Sequence, residues 1–240
     1  GLMNTKEHSY GDFFFFFNLH TGGISTALNV YTDFKNPDRY QTMFEIRTKV
    51  FYEKLEYAFG FMREMILDTV LTDEKRLREI IGEARSRVRA GFMSGGHTLA
   101  ALRALSYFSG GAAISEQFGG LSMYRLLEEI DDHFDERKQE VITKLTELTV
   151  MIFRPENLMV DYTAQKEGGA GLREQVKKLR EALHTEPVEK EAYVPRPSGR
   201  NEGIMSSAQV QYVCRAGNFV KKGFPYTGAL KVLGLKRINL

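Results

Sequence analysis

Five histidines, one cysteine and a run of acids are the residues of this chain whose chemistry could make a site. A helical catalytic zinc centre needs two imidazoles on one face with a carboxylate beside them, as His-Glu-x-x-His or the inverted His-x-x-Glu-His. His8, His20, His97, His133 and His184 are spaced too widely for either. The nearest approach is His133-Phe134-Asp135-Glu136-Arg137, where an arginine stands in place of the second histidine. Asp131, Asp132, Asp135 and Glu136 around it could bind a cation, but acids on an amphipathic helix read first as a solvated face. No catalytic residue, cofactor-binding residue or metal ligand is assigned within these 240 residues.

Other chemistries are no better supported. Cys214 alternates with Val210 and Tyr212, which reads as a packed thiol on the apolar face of a strand rather than a nucleophile. No Gly-x-Ser-x-Gly elbow occurs, and the glycine pairs at 95–96, 110–111 and 119–120 fit neither phosphate-binding pattern. Arg85, Arg87 and Arg89 could suggest an anion patch, but a spacing of two splays them around a helix axis. With 33 basic and 31 acidic residues the net charge is +2, which argues against a nucleic-acid binder. The hydrophobic fraction of 42% suits a soluble globular chain, and no apolar run approaches a membrane span. The lone cysteine fits a reducing compartment.

The elements around these residues read as a mixed α/β (α+β) fold, an antiparallel-rich sheet packed with several helices. Residues 24–31 alternate, with Ile24, Thr26, Leu28 and Val30 on one face, and Gly22-Gly23 gives the tight turn that leads in. Asn36-Pro37-Asp38 is a turn, and 43–50 a second strand with Phe44, Ile46 and Val50 inward. Leu55, Phe59, Met62, Ile66 and Val70 make one helical stripe. Leu77, Ile80, Ile81, Ala84 and Val88 make another, with Thr72 able to cap it. Residues 99–108 form a short segment between glycine pairs, and 123–148 read as two helices. A strand pair is expected at 150–153 and 158–162, split by Pro155, and a last helix at Leu172, Val176, Leu179 and Leu183. Phe13 to Phe17 are too few to span a membrane and read either as a buried segment or as a faulty stretch of sequence.

Pro187, Pro195 and Pro197 mark a linker. The expected organisation is a domain over 1–184, a linker over 185–207 and the cut-short start of a second domain over 208–240, with a strand at 209–215 and a helix from 227. Interrupted domains leave apolar faces uncovered, so the isolated chain is expected to be poorly stable.

Three segments resemble the pitrilysin/insulinase-type zinc metallopeptidases, presequence-protease branch. Asn18-Leu19-His20-Thr21-Gly22-Gly23-Ile24-Ser25 is similar to a signature of their third domain, and 83–97 to the helical region after it. Asn201-Glu202-Gly203, residues 212–219 and Tyr226-Thr227-Gly228-Ala229-Leu230 look like the start of their fourth domain. Phe13 to Phe17 and residues 234–240 depart from the family's pattern. The resemblance implies a clamshell of repeated α/β domains closing over a chamber in which unfolded peptides are degraded. It implies zinc in the full-length protein, held by an inverted motif outside these residues, with metal-activated water attacking the peptide carbonyl. The chain would then be a non-catalytic part of the C-terminal half, inactive alone, whose partners are the N-terminal catalytic half and the peptide substrate, with no nucleic acid and no membrane. A catalytically inactive relative serving as scaffold or partner subunit is the alternative. The bacterial cytoplasm, or a mitochondrial matrix, is the expected location.

Overall fold

A computed structural model describes residues 3–33, 35, 36, 38–165, 169, 171–189, 193–196, 199–205, 209–230 and 232. Its elements are α1 (Tyr10–His20), β1 (Ile24–Thr32), β2 (Tyr40–Thr48), α2 (Leu55–Leu67), α3 (Glu74–Ser94), α4 (Gly96–Ser106), α5 (Gly110–Gly119), α6 (Leu121–Asp132), α7 (Phe134–Ile152) and α8 (Leu172–Ala182). The fold is α+β: helices accompany an antiparallel pair, β1–β2. Two compact units divide the chain, one of residues 1–27, 45–84 and 129–191, the other of 28–44, 85–128 and 192–240.

In the first unit the phenylalanine run is a helix. Ser9 caps it by accepting the Asp12 N–H at 3.2 Å. Phe13 and Phe17, one turn apart, are buried, while Phe14 and Phe15 between them are exposed. Both buried rings meet Phe61 edge-on, at 5.4 and 5.5 Å between centroids, the geometry aromatic quadrupoles favour. The helix stops where the Thr21 hydroxyl donates to Phe17 O at 2.8 Å. Gly23 then turns the chain at φ +94°, a region a Cβ resists, into β1. At the far end of the hairpin Asn36 Oδ1 accepts the Asp38 N–H at 3.1 Å, the Asx bond expected of the turn; Pro37 itself lies outside the described residues.

The apolar stripes of α2 and α8 bury each other. Leu55, Phe59 and Ile66 pack with Leu179 and Leu183, and Ile46, Val50, Phe153, Leu158, Tyr162 and Val176 close over them. Each buried large side chain of this kind stabilises by roughly 1.5–3 kcal/mol relative to exposure. Asp73, rather than Thr72, caps α3: its carboxylate accepts the Arg76 N–H at 3.0 Å.

Other expectations are corrected. The strand pair at 150–153 and 158–162 does not form, because α7 runs on to Ile152 and 158–162 joins no ladder. The β-branched run at its end continues a helix already nucleated, and elongation costs less than a new start. Residues 209–215 are irregular rather than a strand, with Val210, Tyr212, Val213 and Cys214 exposed. An extended segment is held by a neighbouring ladder, and β1 and β2 pair only with each other among the described residues. Leu28 and Phe44, expected inward, are 52% and 39% exposed. Residues 228–230 are helical as expected. Gly168, Pro197 and residues 234–240 lie outside the described residues.

In the second unit α4 packs on α5, and Ser109 caps α5 through the Ala112 N–H. Gly111 allows a close approach there: a Cβ would stand 2.4 Å from Thr32 Oγ1.

Candidate functional site

Each histidine has its own neighbours. His20 stacks on Tyr57 at 4.6 Å, and His97 lies 5.6 Å from the Tyr212 ring. His133 Nδ1 is 3.1 Å from Glu129 O, and His184 Nδ1 is 3.5 Å from Glu186. The acids near His133 join an ion-paired surface: Asp135 meets Arg78 at 3.5 Å, and Arg137 bonds Glu129 and Glu140. Arg85 pairs with Glu128 at 3.2 Å, while Arg87 and Arg89 are exposed. Cys214 is exposed rather than packed, its Sγ 3.9 Å from His97 O.

Glu7, His8 and Glu64 bring one imidazole and two carboxylates within 4.8 Å of one another. Three consecutive backbone links place them. Thr5 bridges Thr69, Lys6 N donates to Asp68 O at 2.9 Å and Val70 N to Asn4 O at 2.8 Å, so the strand-like start of the chain lies along the end of α2. Glu64 is buried and already engaged: His8 Nδ1 is 2.8 Å from Oε1, and the Thr5 hydroxyl donates to the same oxygen. These residues do not fit the zinc of a His-x-x-Glu-His peptidase. They supply one imidazole instead of two, and its Nδ1 is spent on the carboxylate.

The most connected polar constellation lies in the second unit, on α4. Arg103 presents its fork to Glu202, with Nε donating to Oε2 at 2.7 Å and Nη2 to Oε1 at 3.1 Å. Its Nη1 meets Glu116 Oε1, on α5, at 3.0 Å. Tyr107, one turn after Arg103, donates its hydroxyl to Glu202 Oε2. Glu116, only 3% exposed, also accepts the Ser122 N–H at 3.0 Å and the Ser122 hydroxyl at 2.6 Å, so its buried charge is satisfied at the start of α6.

Electrostatics follow from these bonds. The Arg103 guanidinium, then the Tyr107 hydroxyl, hold the Glu202 carboxyl down at about 2. Arg103 is raised, first by its bond to Glu202. Burial, then Glu202, pushes the Tyr107 phenol up. Beside this cluster is a groove of about 300 Å³ lined in part by Gln117, Tyr193, Arg196 and Arg200. Such an arrangement can hold a chain segment by charge and shape. It contains no adjacent nucleophile and base of the kind covalent catalysis requires. Sequence reading missed it because Arg103 and Glu202 are 99 residues apart and carry no shared local pattern.

Residues 1–130 match the family model for segments associated with peptidase family M16, subfamily C. The chain is 29% identical over 233 residues to Protein HypA of Clostridium perfringens, covering 97% of this chain and 24% of that protein. It is 25% identical over 235 residues to Presequence protease 1, chloroplastic/mitochondrial, of Arabidopsis thaliana, covering 96% of this chain and 21% of the other. It is also 25% identical over 186 residues to the mitochondrial presequence protease of Saccharomyces cerevisiae, covering 75% and 19% respectively. The chain thus spans about a quarter or less of the length of these relatives. Among the described residues no helix is long and apolar enough to cross a membrane. With more than half of its length matched by the family model and the first two relatives aligned nearly end to end, the chain belongs to the M16 peptidase family, presequence-protease branch.

Proposed function

We propose that this chain is a non-catalytic part of the C-terminal half of a zinc metalloendopeptidase that degrades unfolded peptides inside a closed chamber. One observation carries the reading: 96–97% of the chain aligns with 21–24% of presequence-protease-branch relatives, while its five histidines form no zinc-peptidase motif. In this reading residues 1–184 belong to the third domain, 185–207 link it onward, and 208–240 begin the fourth. The catalytic N-terminal half and the peptide substrate are its partners, and zinc is held by ligands outside these residues. The bacterial cytoplasm, or a mitochondrial matrix, is the compartment this reading implies.

The reading is tested by sequencing the source locus on both sides of this segment. An upstream His-x-x-Glu-His supports a zinc peptidase. Its absence overturns the enzymatic reading and leaves a scaffold or partner subunit.

A further inference from the structure

We infer that Glu202 is a positioning residue: its clamp on Arg103 and Tyr107 fixes the 193–205 segment on the α4–α5 pair and so sets where the chain beyond leaves it. Three anchors of different chemistry hold the described parts of that segment. Tyr193 accepts a bond from Gln117 Nε2, on α5, at 2.8 Å. Pro195 is buried, and its Cγ would stand 3.6 Å from a Cβ at Gly110, the first residue of α5. Glu202 then takes the Arg103 fork and the Tyr107 hydroxyl.

The third anchor dominates on physical grounds. An exposed ion pair contributes little, because solvent screens it and two long side chains lose freedom. Here the pair is bidentate, the Arg103 side chain is 15% exposed and that of Glu202 25%, and Arg103 is itself braced from behind by buried Glu116. The arginine therefore has little freedom left to lose when Glu202 arrives. Arg125 adds a further positive charge facing Glu202. The chain beyond has weaker attachments. Asn218 Nδ2 donates to Phe108 O at 3.3 Å, Tyr212 lies against Gly96, and Lys221 reaches Asp38 at 2.6 Å. Most of its large apolar side chains, Val213 and Phe224 among them, are exposed. With so little burial of its own, its placement depends on the clamp upstream.

This inference stands apart from the peptidase reading, since it concerns where a segment sits rather than what is cleaved. Amide hydrogen exchange on the 240-residue chain tests it, with α7 as an internal reference for global folding. In Glu202→Gln, which keeps the shape and removes the charge, amides of 199–205 should exchange at least tenfold faster while α7 is unchanged. Glu202→Asp, which keeps the charge but shortens its reach, should restore part of the protection, and Tyr107→Phe should cost about threefold. Exchange within twofold of the parent in Glu202→Gln would overturn the inference. So would equal loss of protection in α7, because Glu202 would then be a determinant of folding and not of position.

Discussion

Leu179 and Met205 are both long and apolar, yet one is 5% exposed and the other 99%. The difference lies in how each segment satisfies its backbone. The α8 helix makes its own hydrogen bonds, so it needs only one covering face, and α2 provides it. The stretch from 199 to 226 is largely extended or irregular, and such backbone becomes regular only when another strand pairs with it. Ion pairs and single side-chain bonds hold it instead of a core.

That contrast can be broken by substitution. The largest effect should come from Phe17, which is fully buried against Phe13 and Phe61: Phe17→Ala should cost about 3–5 kcal/mol in urea unfolding followed by circular dichroism. Gly120→Ala comes next. Its Cβ would stand 2.7 Å from the Glu116 carbonyl, so the turn between α5 and α6 must shift, at roughly 1–3 kcal/mol by the same measurement. Asp73→Ala, removing the cap of α3, should cost about 1 kcal/mol. The smallest effect belongs to the other region: Val213→Ala, at an 83% exposed site, should stay within about 0.5 kcal/mol. A cost at Val213 matching that at Phe17 would abolish the distinction between the regions.

The clamp sharpens the comparison through pH. A carboxyl whose folded value is depressed adds stability that is complete above its ordinary value, 4.5, and is lost as pH falls toward about 2. The side-chain carboxyl carbon of Glu202, followed by NMR, should therefore still report the charged form at pH 4. A midpoint near 4.5 would show that Arg103 and Tyr107 do not hold it.

Much of the helical architecture was legible in the sequence, because stripes such as Leu55–Phe59–Ile66 and Leu172–Val176–Leu179 write a helical period directly. The β1–β2 pair was legible for the same reason, with the period of two. Phe13 to Phe17 hid their helix, since a run in which every residue is apolar marks no face. At 150–162 the β-branched residues pointed to strands, and the helix already running through 134–149 overrode that preference. Residues 209–215 alternate as a strand would, but alternation alone supplies no partner. The Glu202 clamp left no sequence signal, because its charges meet only after α4, α5 and the 193–205 segment are in place. The family, by contrast, was readable from short glycine-rich and polar segments such as 18–25 and 201–203, which carry little structural information by themselves.

The most direct measurement is cleavage of an unfolded fluorogenic peptide by the 240-residue chain alone and by the longer polypeptide that carries it. The chain alone should be inactive with or without zinc, while the longer polypeptide cleaves, stops when a chelator removes the metal and recovers when zinc is restored. Zinc-dependent cleavage by the isolated chain, or none by the longer polypeptide, would contradict the assignment of this chain to the non-catalytic part of a zinc peptidase.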